Sequence, residues 1–329
     1  MRYCHNIEIE ATNFCNANCV FCANSSQKRS LGYMNVEKFS LFLDRLQPIV
    51  RNNLLFKMGG GFPIFTICGF GEPLLHPSID QIVKLVKQFG FYVRLVTNGS
   101  LLDEVMAKKL CKSAVDQICI SLHSVNAENY KAITKLILSK TIKHLNAAIP
   151  ILQKSKVSIM FWRIHHTSEV YRDSPLDNKR FNETVENWGL LPNSILGPSE
   201  PWTRAGFVPD SLCDNVHDNP FWCNKILLNY TVDYEGNVIL CCNDYSDRTA
   251  ILGNIFQGDL VSTIDAITRE KVAFITRQKR SRICNDCRRW PDIDIHMALK
   301  RAGIGLKPFY NLICNEIKNH EGDCDEKKN

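Results

Sequence analysis

Short apolar segments of period two alternate with longer segments of helical period along the first two thirds of the chain. Ile7, Ile9 and Ala11 alternate with Glu8, Glu10 and Thr12, the pattern of a strand with one buried face. A helix follows, with Asn35 as its cap and Phe39, Leu43 and Leu46 at helical spacing. Pro63–Cys68, Phe91–Val96, Gln117–Leu122, Val157–Ile164 and Ser194–Leu196 read as five more strands. Helices are predicted from near Ser78, over 102–113, over 126–153 in two pieces, and over 176–189. Such alternation implies right-handed βαβ units and a parallel sheet. The predicted class is therefore α/β, and six repeats fit a partial (β/α)6 TIM-like barrel better than a closed eight-fold one. Barrels of this kind gather their chemistry at the C-terminal ends of the strands.

The segments at those ends carry chemistry-bearing residues. The first strand runs into Thr12-Asn-Phe-Cys15-Asn-Ala-Asn-Cys19-Val-Phe21-Cys22, a C-x3-C-x2-C spacing. Thiolates so spaced can converge on one iron–sulfur cluster from a single loop. A cubane normally takes four thiolates, so three leave one iron open, and an open metal position marks a reactive site. A zinc knuckle or three unrelated buried thiols are the alternatives. Zinc sites usually pair two CxxC units or add histidines, and none lies nearby in the sequence. The second strand ends in Gly69-Phe-Gly71-Glu72-Pro73, the third in Thr97-Asn98-Gly99 and the fourth in Ser121-Leu-His123-Ser124. The glycines of 57–62 lack both the GK[ST] ending and the dinucleotide-binding spacing and read as a connector.

Composition narrows the setting. The chain has 329 residues, with 45% hydrophobic and 22% charged content, which is ordinary for a globular protein with a large core. No apolar run approaches the roughly 18 residues needed to cross a bilayer, and the N-terminus lacks a signal-peptide core. The expected location is the cytoplasm, with no membrane partner. Fifteen cysteines in a reducing compartment point to metal or catalysis rather than disulfides. Cys68 and Cys119 lie in apolar strand-like runs and read as core thiols. A net charge of +6 suits an anionic substrate. No dense basic helix or aromatic-interleaved basic patch indicates nucleic acid.

The cysteine loop, with Phe21 just before its last thiol, resembles the signature of the radical S-adenosylmethionine (SAM) enzymes. The resemblance implies a 4Fe-4S cluster held by Cys15, Cys19 and Cys22, with SAM chelating the open iron. An electron from the cluster then cleaves SAM to a 5′-deoxyadenosyl radical. A flavodoxin- or ferredoxin-type donor would supply that electron. Gly69, Gly71 and Glu72 resemble the family's GGEP element, with Phe70 as a variant, and imply contacts to SAM's amino group. Asn98 resembles the strand-end TNG, and Ser121 the serine at the fourth strand end that often contacts SAM. His123 stands where the family usually has Asp; facing substrate and packing are both open to it. The family's later arginine has no clear match, and Arg163 is the substitute.

Past residue 200 the composition changes. The stretch 201–221, rich in Pro, Asp and Asn, reads as a linker or active-site cover and contains Cys213. Tyr230–Asp233 and Val238–Cys241 flank Tyr234-Glu-Gly236-Asn, a hairpin signal, and 259–280 reads as mainly helical. The order Cys223, Gly236-x4-Cys241 on a hairpin, a helix, then Cys284-x2-Cys287 resembles the twitch extension, a shortened SPASM domain of radical SAM enzymes. It implies a second, auxiliary 4Fe-4S cluster on Cys223, Cys241, Cys284 and Cys287. A structural zinc ribbon on the same four thiolates is the competing reading. Cys242 follows Cys241 and would point to the opposite face if both lay on a strand. It and Cys213 are core thiols or hydrogen-atom donors. The expected domains are 1–200, the SAM core; 201–221; 222–292, the auxiliary cluster; and 293–329, a helical segment with a polar tail.

The twitch pattern is similar to that of aminocyclitol dehydrogenases and aminoglycoside-pathway epimerases. It implies oxidation or epimerisation of a sugar-like, cyclitol or nucleotide-sugar small molecule. A peptide or protein modifier is the alternative, and a non-enzymatic zinc protein a more distant one.

Overall fold

The computed structural model describes residues 6–52, 64–164, 174–191, 195–199, 226, 229–242, 244 and 250–275. Its parallel strands are β1 (Asn6–Glu10), β2 (Ile64–Cys68), β3 (Tyr92–Thr97), β4 (Gln117–Ser121), β5 (Ser158–Ile164), β6 (Ile195–Ser199) and β7 (Asn229–Val232). The helices among them are α1 (Val36–Asn52), α2 (Ile79–Gln88), α3 (Glu104–Lys112), α4 (Ala127–Thr134), α5 (Leu138–Lys154) and α6 (Pro175–Asn187). Two antiparallel strands, β8 (Asn237–Ile239) and β9 (Ile251–Asn254), and helix α7 (Leu260–Ile275) complete the described chain. One sheet holds all nine strands in the order β6-β5-β4-β3-β2-β1-β7-β8-β9. The architecture is the expected α/β one, a partial barrel with a small antiparallel extension.

Local chemistry sets the boundaries. Asp103 caps α3 by accepting the Met106 N–H at 2.8 Å, which trims the predicted 102–113 helix to nine residues. Asn126 caps α4 by accepting from Glu128 and Asn129. The 126–153 segment divides because Lys135 takes a left-handed φ of 63° and ends α4. The predicted hairpin is present, and its first strand pairs with β1 in parallel register. The extension therefore continues the barrel sheet. Strand β9 had no alternating pattern to mark it. Residues 57–62, 201–221 and everything past 275 lie outside the described residues.

Alternation sorts the two faces. Ile7, Ile9, Phe65, Ile67, Val93, Leu95, Ile118, Ile120 and Phe161 share one core with Phe39, Leu43, Ile82, Val86, Leu110, Leu145 and Ile149 of the helices. Phe65 meets Phe91 at 5.0 Å and Phe39 at 6.4 Å between ring centroids. Each such buried ring contributes about 2–3 kcal/mol, so the helix-facing side carries the hydrophobic stabilisation.

The other face is the barrel interior, and it is layered. Strand registers pair Thr231 with Glu8, Glu8 with Thr66, Thr66 with Arg94, Arg94 with Gln117 and Gln117 with Ser158. Residues so paired project on the same face. This row is polar on all six strands it crosses, β7 and β1 to β5. Two residues further along, Glu10 pairs with Cys68, Val96 with Cys119 and Cys119 with Met160. Ser121 and Trp162 lie above them at the C-terminal ends.

Candidate cluster and cofactor site

The cysteine loop leaves the end of β1 and folds over the C-terminal mouth of the barrel. Cys15, Cys19 and Cys22 are all partly buried and outside any disulfide. The loop is braced on two sides. Its Asn18 and Val20 N–H groups donate to the Thr134 and Ile133 carbonyls at 3.0 Å, so the end of α4 holds the middle of the loop. On the other side the Glu72 N–H donates to the Phe14 carbonyl at 2.7 Å. Gly71 passes so close that an added Cβ would meet the Thr12 carbonyl oxygen at 2.0 Å. Gly69 has φ +122°, and a Cβ there would stand 2.7 Å from Glu10 Cγ. Both glycines of the strand-end motif are therefore demanded by backbone approach or conformation.

Glu72 is buried, at 2% exposure. Its Oε1 accepts from Thr97 Oγ1 at 2.7 Å and the Leu74 N–H at 3.0 Å, and its Oε2 accepts the Asn98 N–H at 2.7 Å. Burial raises its pKa, and these three donors oppose the rise. The carboxylate thus joins the ends of β2 and β3. Asn98 carries the bracing onward: its Nδ2 donates to Asn16 Oδ1 at 2.9 Å, Asn16 Nδ2 to Ser100 Oγ at 2.8 Å, and Ser100 Oγ to Asn98 Oδ1 at 2.6 Å. Asn16 follows Cys15 directly, so this closed ring fixes the first thiol against the third strand. Asn16 and Ser100 escaped the sequence reading; their only signal was adjacency to a motif residue.

Phe21 is buried and meets the buried His123 ring edge to face at 4.8 Å. Of the two options open to His123, packing is the one this contact displays. Ser121 ends β4, partly buried on the interior face. Arg163 lies on the helix-facing side of β5. Its guanidinium stacks 4.5 Å over Phe181, and Nε donates to the His123 carbonyl at 3.5 Å. That placement corrects the expectation that Arg163 replaces a SAM-binding arginine, because strand alternation turns it toward α6 and away from the interior.

The donor set fits an iron–sulfur centre. Burial pushes the Cys15 thiol up to about 12, with Glu72 and Cys22 adding to the rise, so these three groups stand near one another. Among the described residues no three His, Cys, Asp or Glu side chains are gathered closely enough for a single metal ion. A cubane instead seats each thiolate on a different iron, from three positions of one loop.

Residues 9–163 match the model of the radical SAM superfamily. This chain carries a radical SAM domain. Residues 223–288 match the model of an iron–sulfur cluster-binding domain, SPASM. The two domains of this radical SAM protein imply a catalytic and an auxiliary 4Fe-4S cluster and SAM binding. The chain is 29% identical over 171 residues to a probable GTP 3′,8-cyclase of Thermococcus kodakarensis, covering 50% of each chain. It spans half or less of the length of the curated relatives it matches. Its fold is similar to that of BtrN in complex with AdoMet and 2-DOIA, at TM-score 0.57 and 19% identity, covering 86% of this chain and 92% of BtrN. It is also similar to Streptococcus suis SuiB bound to precursor peptide SuiA, at TM-score 0.58 and 11% identity, covering 80% and 64%.

The extension of the radical SAM protein is tied to the cysteine loop. Tyr234 Oη donates to the Ser30 carbonyl at 2.6 Å, and Arg29 stands 5.8 Å over the Tyr234 ring. Arg29 forms a buried bidentate pair with Glu10, at 2.6 and 2.7 Å. Strand β8 ends at Ile239, so Cys241 and Cys242 lie in a bend and turn beyond it. That corrects the premise that strand alternation separates them. They nonetheless have different surroundings. Cys242 packs against the cluster of Ala23, Phe70 and Ile239, as does Cys22. Cys241 lies within electrostatic reach of Lys271, whose pKa burial lowers to about 7 while Glu8 and Cys241 oppose the drop. Cys213, Cys223, Cys284 and Cys287 lie outside the described residues. No helix among the described residues is long and apolar enough to cross a membrane.

Proposed function

We propose that the protein is a SAM-cleaving enzyme that abstracts hydrogen from a small polar molecule held in its barrel, oxidising or epimerising it. One arrangement carries this reading: Cys15, Cys19 and Cys22 are locked by Gly71, Glu72 and Asn98 over the mouth of a barrel with a polar interior row. When bound, the catalytic cluster supplies the electron that converts SAM to methionine and a 5′-deoxyadenosyl radical. The chain's own residues hold and aim. Cys15, Cys19 and Cys22 would ligate the cluster. The Gly69–Glu72 backbone and Ser121 lie at the strand ends where SAM's methionyl end would be received. Phe21 and Phe70, both buried, exclude water from that mouth, which favours radical chemistry. Cys241, with Cys223, Cys284 and Cys287, would hold the auxiliary cluster, whose four thiolates suit electron transfer.

The interior row of Glu8, Arg94 and Gln117 supports a polar small molecule, as does the likeness to BtrN with AdoMet and 2-DOIA. The likeness to SuiB with its precursor peptide is the observation that favours peptide modification instead. The deciding experiment is anaerobic turnover with deuterated sugars, cyclitols and peptides, following label into 5′-deoxyadenosine. Transfer from a sugar or cyclitol is the expected result; transfer only from peptides replaces this substrate class. Release of no 5′-deoxyadenosine by protein carrying about eight irons, four per cubane, defeats the reading itself.

A further inference from the structure

The polar interior row offers one group with capacity left. Thr231 Oγ1 donates to Glu8 Oε2 at 3.1 Å, and Asn6 and Asn229 donate to Glu8 Oε1 at 3.3 and 3.2 Å. Thr66 Oγ1 donates to Asn6 Oδ1 at 2.6 Å. Gln117 gives its Nε2 to Ser158 Oγ at 3.1 Å and Met160 Sδ at 3.0 Å. Those two contacts fix the Gln117 amide and turn its Oε1 to Arg94, which donates from Nε at 2.5 Å. The terminal nitrogens of Arg94 are the exception. Among the described residues no hydrogen bond or ion pair reaches them, and Arg94 has no carboxylate partner. The side chain is partly buried, held at Nε by an oriented amide, and projects from the interior face of β3.

The geometry points to Arg94 as the binding residue for an oxyanion, a phosphate or carboxylate, on the substrate of this enzyme. The inference rests on the proposed small-molecule activity and names the class of substrate it takes. A guanidinium fixed through Nε presents its two terminal nitrogens as a fork that matches two oxygens of such a group. The position suits the task. Arg94 and Asn98 are four residues apart on and just past β3, about 13 Å along a strand. An oxyanion on Arg94 would leave the rest of a sugar-sized molecule spanning the interior toward the cysteine loop. The row above carries Glu10, already paired with Arg29, then Cys68, Val96, Cys119 and Met160, whose mostly short or thioether side chains would face the ligand's less polar body. Glu8, two strands away in the same row, is an anion already satisfied and would repel a misplaced oxyanion.

The test uses the cluster-reconstituted full chain under anaerobic conditions, with glucose, glucose 6-phosphate and glucuronate titrated by calorimetry. At least one charged sugar should bind tenfold or more tightly than glucose, and which one distinguishes phosphate from carboxylate. Arg94→Gln should bring that preference to within about twofold, whereas Arg94→Lys, which keeps the charge and loses the fork, should retain part of it. Iron content and thermal midpoint of both variants establish that they fold. Equal binding of charged and neutral sugars by the wild type, or a preference that survives Arg94→Gln, overturns the assignment. Absence of uncoupled 5′-deoxyadenosine release in the wild type sinks the SAM-cleavage reading, while the sugar titrations still decide the role of Arg94.

Discussion

A Cβ on Gly71 would stand 2.0 Å from the Thr12 carbonyl oxygen and 2.8 Å from that of Phe14. Both obstacles are backbone, so no rotamer change relieves them. Gly71→Ala must push the start of the cysteine loop away from the second strand end. Overpacking of this kind costs about 1–3 kcal/mol. The larger consequence falls on Cys15, three residues beyond Thr12. Reconstituted Gly71→Ala protein should lose close to half its iron, about four atoms of roughly eight. A full iron complement in that variant would show that the loop tolerates the shift.

Glu72 should resist neutralisation. All three of its protein partners donate, so Glu72→Gln turns an amide N–H₂ toward a donor. A buried donor left unsatisfied costs about 1–3 kcal/mol, and the β2 and β3 ends lose their bond. The expected outcome is a lower thermal midpoint together with a SAM affinity reduced tenfold or more. Unchanged SAM affinity would confine Glu72 to a scaffold role.

His76 gives the fold a pH dependence of predictable sign. Its Nδ1 accepts the Ser78 N–H at 3.0 Å, so Nε2 carries the proton toward the Met34 carbonyl, also at 3.0 Å. Burial lowers its pKa from the ordinary 6.5, and the Met34 carbonyl opposes the drop. As pH falls through 6.5 the unfolded chain takes up a proton here that the folded chain refuses, so stability decreases. Above that pH the contribution is present in full. The gap in thermal midpoint between wild type and His76→Asn should narrow from pH 7.5 to 5.5; a constant gap would remove His76 from the acid response.

The strands and helices were legible because each has its own period and cap. Ile7 and Ile9 against Glu8 and Glu10 announced β1, and Asn35 and Ser78 marked helix starts. The cysteine loop was legible because its ligands are local in sequence. What stayed hidden depends on register and distant contact. Nothing near Arg94 or Gln117 announces that they are neighbours; a parallel register set by hydrophobic faces brings them together. The ring of Asn16, Asn98 and Ser100 joins segments more than eighty residues apart. The joining of β7 to β1 spans still more chain and has no local signature. Arg163 was misread because a strand position was treated as a direction without counting alternation from Phe161.

Cys241 and Cys242 should separate by iron content. Cys242 packs with Ile239 against Phe70 and Ala23, on the side of the catalytic loop. Cys241 instead sits in the field of Lys271, a buried cation that also lies over Tyr230 at 4.1 Å and donates to the Asn229 carbonyl. A thiolate-bound cluster is anionic, and a neighbouring ammonium favours it. Cys241→Ser should therefore lower reconstituted iron from about eight to about four atoms and abolish the auxiliary paramagnetic signal while leaving the SAM-dependent one. Cys242→Ser should keep all the iron. Loss of iron in Cys242→Ser with retention in Cys241→Ser would reverse the two roles and place the auxiliary centre beside Ala23, Phe70 and Ile239.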